Sequence, residues 1–306
     1  MSSNSSLLTP LQVIGSSESE AHSSLSSSNS SLLTPHYSLS SDSSLSSDSS
    51  LSSPHSFLIT GGCGFIGSSL VSYLLEMKAG LRIRILDNLS VGGREDLVTV
   101  CGFQEAERTS SDTWQTDGGS CELIVGDIQD PETCIKAAQG VEAVVHLAAN
   151  TGVGPSVEDP RGDMQANVLG TLNMLEAARY NEVGKFIFAS SGAPVGEVTP
   201  PIHEELAPHP VSPYGASKLA GEGYCSAYYR TYGLKTIALR FGNVYGPGST
   251  HKSSLVAKFI KQALAGEVCE IFGDGTQTRD FIYRDDLLEA ILRSARADIG
   301  GEVFQI

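Results

Sequence analysis

The sequence predicts an α/β protein built on a doubly wound parallel sheet. Three observations carry that expectation. Short apolar runs alternate with segments of helical periodicity from Phe57 onward. The first run leads directly into a glycine-rich turn. An acidic residue then closes the second run, Asp87. Parallel sheets of this kind bind ligands beyond the carboxyl ends of their strands.

The strands are expected at 57–60, 83–86, 123–125, 143–147, 186–189 and 236–240, where β-branched and aromatic residues cluster. Helices are expected between them at 66–78, 131–138, 164–180 and 214–232. Residues 99–120 are polar and hold the single Trp114, so they read as a surface loop between the second and third strands. After residue 245 the pattern changes to a helix at 254–265, a strand at 270–272 and a helix at 285–296. The organisation expected is therefore a dinucleotide-type sheet domain over 57–245 and a smaller substrate lobe over 246–306. The lobe reads as C-terminally truncated, because the final GEVFQI resembles the start or middle of a buried strand.

The chain of 306 residues begins differently. Residues 1–56 contain 26 serines and no Lys or Arg, and Ser2–Pro10 recurs unchanged at Ser27–Pro35. Such a segment has too little apolar surface to offset the entropy of ordering, and it is expected to be a disordered low-complexity leader. It lacks the basic and apolar regions of a signal peptide. The formal net charge is −15, which argues against nucleic acid or an anionic membrane as a bulk partner. The six cysteines show no metal-ligand spacing, so a metal is not expected and the thiols read as reduced, in a cytoplasmic protein. No apolar run reaches the roughly 18 residues of a membrane helix.

The turn Gly61-Gly-Cys-Gly-Phe-Ile-Gly67 follows an apolar strand and opens a helix. Glycines there permit a tight bend and let backbone N–H groups approach a pyrophosphate, and the helix presents its positive end to it. Twenty residues after Gly67, Asp87 stands where a carboxylate accepts from ribose hydroxyls and repels a 2′-phosphate. The cofactor expected is NAD rather than NADP. After the third strand, Asp127 is placed to accept from an adenine amino group and Ile128 to pack on its ring.

Tyr214 and Lys218 lie four apart on an expected helix and share a face. An ammonium beside a phenol favours the phenolate, which makes Tyr214 a candidate base. The strand at 186–189 ends in Ser190-Ser191, which puts hydroxyls at the same edge of the sheet.

With these residues in view, the chain resembles the extended short-chain dehydrogenase/reductases of the NAD-dependent nucleotide-sugar epimerase/dehydratase family. The matching segments are TGGCGFIGSSL (60–70), LDNLS (86–90), GDI (126–128), VVHLAA (144–149), NVLGTLNMLEAA (167–178), FASSGAPVGE (188–197), PYGASKLAGE (213–222), LRFGNVYGPG (239–248) and GDGTQTRDFIYRDDL (273–287). They run in family order over essentially all of residues 57–306. The resemblance implies a Rossmann-type domain in which Tyr214 is the base, Lys218 its partner and ribose ligand, and Ser191 a hydroxyl touching substrate. It implies a cofactor site of Gly61, Gly64, Phe65, Ile66, Gly67, Asp87, Asn88, Asp127 and Ile128. That site is completed by Leu147, Ala148, Ala149, Asn167, Tyr214 and Lys218. Asn243 and Arg279 would join Ser191 in holding the substrate, the guanidinium pairing with a diphosphate.

Family members share oxidation at sugar C4 and differ in the fate of the resulting 4-keto sugar. Dehydratases carry an Asp–Glu pair after the catalytic hydroxyl residue, whereas Ser191 here is followed by Gly-Ala-Pro-Val. The function implied is 4-epimerisation of a nucleotide-activated sugar of the UDP-glucose/UDP-galactose type. A 4,6-dehydratase or another sugar-nucleotide oxidoreductase is the alternative within the enzyme class. A truncated, non-catalytic NAD-binding protein is the alternative outside it. The resemblance also implies a homodimer, since relatives often pair through a four-helix interface, here formed by 164–180 and 214–232.

Overall fold

The computed structural model describes residues 54–77, 80–101, 103, 107–116, 120–249, 255–271 and 273–306. The low-complexity leader up to residue 53 lies outside the described residues, as do Lys78, Ser254 and Phe272 at the ends of expected elements.

The chain alternates as expected. Strand β1 (Ser56–Thr60) leads to α1 (Phe65–Met77), β2 (Arg82–Asp87) and α2 (Glu95–Cys101). A short hairpin follows, β3 (Glu107–Arg108) and β4 (Thr113–Gln115), and then β5 (Cys121–Val125) and α3 (Pro131–Ala137). Strand β6 (Ala143–His146) opens onto α4 (Val153–Glu158), α5 (Pro160–Met164), a π-helical turn (Gln165–Leu169) and α6 (Gly170–Tyr180). Strand β7 (Lys185–Ser191), α7 (Pro213–Tyr232) and β8 (Lys235–Phe241) complete the central run. The remainder is β9 (Asn243–Tyr245), α8 (Leu255–Ala265), β10 (Phe281–Tyr283), α9 (Arg284–Arg296) and β11 (Glu302–Gln305).

The main sheet has the order β11-β8-β7-β6-β1-β2-β5-β4-β3. All pairings from β11 to β5 are parallel. The order reverses at β1, which lies between β2 and β6, and a crevice opens beyond the carboxyl ends of strands at such a reversal. Side chains alternate across the sheet. Phe57, Ile59, Ile83, Ile85 and Val145 pack on one side with Leu70, Leu74 and Leu97 from α1 and α2 and with Leu287 and Ile291 from α9. Leu58, Leu86, Val144, Phe186 and Phe188 pack on the other with Met174 and Leu175 from α6 and Cys225 and Tyr228 from α7. Each fully buried aliphatic or aromatic side chain contributes about 1.5–3 kcal/mol. Two covered faces therefore hold the strand ends, and with them the site, in fixed register.

Three expectations change. Residues 99–120 are not simply a loop: they include the end of α2 and the β3–β4 hairpin, whose β4 pairs antiparallel with β5. Residues 270 and 271 are not in a strand. Residues 246–306 do not stay apart as one lobe. Helix α9 buries its apolar face against the main sheet, and β11 pairs in parallel with β8 from Glu302↔Ile237 to Gln305↔Arg240. What stands outside the main sheet is the two-stranded β9–β10 pair and α8. Helix 164–180 is present but interrupted by the π-helical turn.

Candidate active site

The glycine turn is shaped by close approach. Gly61 adopts φ +70, and a Cβ there would sit 2.8 Å from the Ala148 nitrogen. A Cβ at Gly67 would fall 2.2 Å from the Gly61 carbonyl oxygen, so helix α1 starts against the strand only because that atom is missing. The turn is tied to β2 in two ways. Gly61 N donates to the Leu86 carbonyl at 2.8 Å, and Cys63 N donates to Asp87 Oδ2 at 2.9 Å. Asp87 Oδ1 accepts from Leu89 N at 2.8 Å. Burial pushes the Asp87 carboxyl up from the usual range, and these backbone donors pull it back. Each carboxylate oxygen keeps a second lone pair for a ligand hydroxyl.

A cavity of about 380 Å³ runs from this turn across the carboxyl ends of the strands. At one end it is lined by Gly61, Gly64, Phe65, Ile66, Gly67, Asp87, Asn88, Asp127 and Ile128. Leu147, Ala148 and Ala149 line the middle, and Ser191, Tyr214, Lys218 and Asn243 the far end. Asn88 Nδ2 donates to Asp127 Oδ2 at 3.0 Å, which links the two polar residues at the first end. Two expected residues are not in the lining. Asn167 is buried behind the wall, where its Oδ1 accepts from Asn150 N at 2.8 Å and its Nδ2 donates to the Asn150 carbonyl at 2.9 Å. Arg279 is exposed and donates to the Thr278 carbonyl. Conversely, Asn150, Thr151 and Val244 line the cavity without having been singled out, while Ser190, noted with Ser191 at the strand end, lines it as well. The available signal was position: Asn150 and Thr151 follow Ala149 in the chain, and Val244 follows Asn243.

Helix α7 is docked on β7 residue by residue. Ser212 caps it, accepting from Gly215 N at 3.1 Å, with Pro213 in the first turn. From its inner face Tyr214 stands near the Ser191 hydroxyl, and Lys218 Nζ donates to the Ala189 carbonyl at 2.8 Å. Glu222 accepts from Ser190 Oγ. Three consecutive strand residues thus meet three helical residues spaced by four. Glu222 is held in turn by a bidentate pair with Arg240 of β8, which lies opposite Ser190 in the sheet.

The electrostatics differ from the sequence expectation. Burial pushes the Tyr214 phenol up from its ordinary value, and the nearby Ser191 hydroxyl only partly offsets this. Burial also pushes the Lys218 ammonium down to about 8. The expected acidification of Tyr214 by Lys218 is not present in the chain alone. The amine is aimed at a carbonyl, 5.9 Å from the Tyr214 ring centroid, and desolvation dominates both groups.

His146 sits below the cavity floor and is held neutral, its pKa pushed down to about 3 by burial. Its tautomer follows from its neighbours. Thr171 Oγ1 donates to the Asn167 carbonyl at 2.7 Å, so it accepts from His146 Nε2–H at 3.1 Å. His146 Nδ1 therefore accepts from Thr60 Oγ1, which itself accepts from Ala148 N. This chain fastens the end of β1 to α6.

A glycine turn at a strand-order reversal, with a Tyr/Lys/Ser group at the other end of one cavity, defines a dinucleotide-dependent enzyme of the short-chain dehydrogenase/reductase type. The match to a family model is specific. Residues 57–306 fit the NAD dependent epimerase/dehydratase family, and the chain belongs to it; the cofactor is NAD. The UDP-glucose 4-epimerase of Mycolicibacterium smegmatis is 38% identical over 254 residues, spanning 81% of this chain and 76% of that one. The UDP-glucose 4-epimerase of Thermotoga maritima, solved with UDP-glucose, superposes with a TM-score of 0.70 at 36% identity, over 82% and 76% of the two chains. A dTDP-glucose 4,6-dehydratase from Streptomyces venezuelae, solved with NAD, gives a TM-score of 0.71 at 30% identity, over 82% and 75%. The residues present fit a dinucleotide: no side chain grows from Gly61, Gly64 or Gly67 into the turn, and Asp87 retains free lone pairs. Among the described residues no helix is long and apolar enough to cross a membrane and no cluster of ligands could hold a metal. All six cysteines carry free thiols.

Proposed function

We propose that this protein interconverts the C4 epimers of a UDP-activated hexose of the UDP-glucose/UDP-galactose type. The observation that carries the reading is the distribution of carboxylates. Among the described residues lining the cavity, only Asp87 and Asp127 are acidic, and both stand at the end away from Tyr214. Elimination of water across C5–C6 needs an acid and a base beside the sugar. Here Gly192, Ala193 and Pro194 follow Ser191, and Val195 is fully buried. Glu222 is near in sequence but is committed to Arg240 and Ser190.

Bound NAD supplies a two-electron acceptor that can return the same hydride. The chain supplies the rest. Tyr214 Oη accepts the C4 hydroxyl proton as that carbon is oxidised, and returns it on reduction. Ser191 Oγ bonds the same oxygen and the phenol, which keeps the proton path short. Lys218 contributes positive charge that stabilises the transient phenolate and donors for the cofactor ribose. A grip concentrated on the nucleotide would leave the 4-keto sugar free to rotate before it is reduced, and the net reaction is redox-neutral. Asn243, Arg279 and the β9–β10 and α8 region hold the nucleotide diphosphate. Exposed Leu169, Tyr180, Tyr224 and Tyr232 on α6, α7 and the π-helical turn support a homodimer through those helices, and the free thiols support a cytoplasmic setting. Incubation with UDP-glucose and NAD tests the reading. UDP-galactose is expected, and a 6-deoxy-4-keto sugar would overturn it.

A further inference from the structure

Helix α4 follows almost directly on Asn150 and Thr151, which line the cavity. Gly152 makes the turn into it with φ +110. The helix has no apolar anchor. Val153 and Val157 are 52% and 61% exposed, and Ser156 is its one buried residue, at 2%. What holds α4 against α7 is a hydroxyl. Ser156 Oγ donates to the Val153 carbonyl at 2.7 Å and accepts from the backbone N of Tyr214 at 3.1 Å.

The same bond completes the first turn of α7. The opening N–H groups of a helix have no acceptor within it. Pro213 has no N–H, Gly215 gives its own to Ser212 Oγ, and Ala216 gives its own to the Ser212 carbonyl. The Tyr214 N–H is left, and Ser156 takes it. The Ser156 proton is spent on Val153, so its oxygen has only lone pairs to offer here. The segment meets α7 once more, where Asp163 accepts from Ser217 Oγ, but that bond falls three residues further along the helix. The Ser156 bond reaches the backbone of Tyr214 itself. Proton transfer needs heavy atoms about 2.6–3.2 Å apart. A displacement of about 1 Å costs on the order of a hundredfold in rate.

We propose that Ser156 is a positioning residue, which registers Tyr214 with the cavity wall at Asn150 and Thr151. It touches neither cofactor nor sugar. Its hydroxyl fixes the start of α7 against α4, so that the phenol and the wall facing the sugar keep one spacing. Without it the Tyr214 N–H is buried with no acceptor, and the only polar anchor of α4 is gone. The proposal rests on the epimerase reading only in taking Tyr214 as the base.

The test compares the full chain with Ser156→Ala and Ser156→Thr, using UDP-glucose and NAD, with kcat expressed per bound NAD. Loss of folded protein lowers bound NAD and turnover together and leaves that ratio in place. Ser156→Ala is expected to lower kcat per bound NAD about tenfold or more, with KM within about twofold of wild type. Ser156→Thr keeps the hydroxyl and should recover most of the loss. A ratio in Ser156→Ala within about twofold of wild type, or a loss that Ser156→Thr does not recover, overturns the proposal. A second measurement needs neither sugar nor variant. In wild type the Tyr214 amide should exchange with solvent about a hundredfold or more slowly than an unprotected amide, although it stands in the first turn of a helix. Exchange at the unprotected rate overturns the proposal even if the variants do not fold. A wild-type protein that leaves UDP-glucose unchanged refutes the epimerase reading, and the exchange rate then decides this one.

Discussion

Replacing Arg240 by methionine should destabilise the protein severely without touching a ligand. The Arg240 and Glu222 side chains are 4% and 6% exposed and form two parallel hydrogen bonds of 2.9 and 2.8 Å. Arg240→Met leaves the Glu222 carboxylate buried with only Ser190 as donor. Stranding one member of such a pair costs about 3–5 kcal/mol. That is more than a hundredfold in the folded-to-unfolded ratio. In urea the unfolding midpoint should fall by about 1–2 M. Adding Glu222→Gln to Arg240→Met removes the stranded charge and should recover about 2 kcal/mol or more, a coupling visible in a double-mutant cycle. A loss below about 1 kcal/mol for Arg240→Met, or strictly additive variants, would refute the view that this pair is an isolated buried unit.

Three further outcomes are expected. Gly67→Ala puts a methyl group 2.2 Å from the Gly61 carbonyl, so the turn must open; NAD affinity measured by calorimetry should fall about tenfold or more, and unchanged affinity would contradict the close-packed turn. Tyr214→Phe should retain NAD binding and lose turnover by about a thousandfold, and retained turnover would remove Tyr214 from the chemistry. Lys218 has a folded pKa lowered from 10.5 to about 8, so the unfolded chain binds more protons between those values and stability from this group rises with pH across that window. The difference in Tm between wild type and Lys218→Met should therefore change over about pH 8–10 in favour of wild type, and a flat difference would show that Lys218 is not desolvated.

Much of this site was legible because its residues sit at sheet edges marked by local sequence. The turn from Gly61 to Gly67 announces itself through a strand before and a helix after, and Asp87 through its place at the end of β2. Tyr214 and Lys218 share a helical face by spacing alone. Other features depend on partners remote in sequence. Arg240 and Glu222 are 18 residues apart on different elements, and neither has a local signature. The β3–β4 hairpin escaped because edge strands of two and three residues carry no usable alternation. The π-helical turn at Gln165–Leu169 leaves helical periodicity nearly intact, yet it sets the place of Asn167. The direction of the Lys218 amine, toward Ala189 rather than the phenol, is a packing outcome that spacing could not disclose. Helix α9 and β11 look like lobe elements in sequence order, but their apolar faces find the main sheet.

The most direct test of the central claim is the fate of one carbon. The purified chain is incubated with UDP-glucose and NAD, and the C4 configuration of the sugar is followed by proton NMR. Inversion at C4 to UDP-galactose, with no net accumulation of NADH, is the predicted result. Loss of the C6 hydroxyl, or a C4 centre that never inverts, would contradict it.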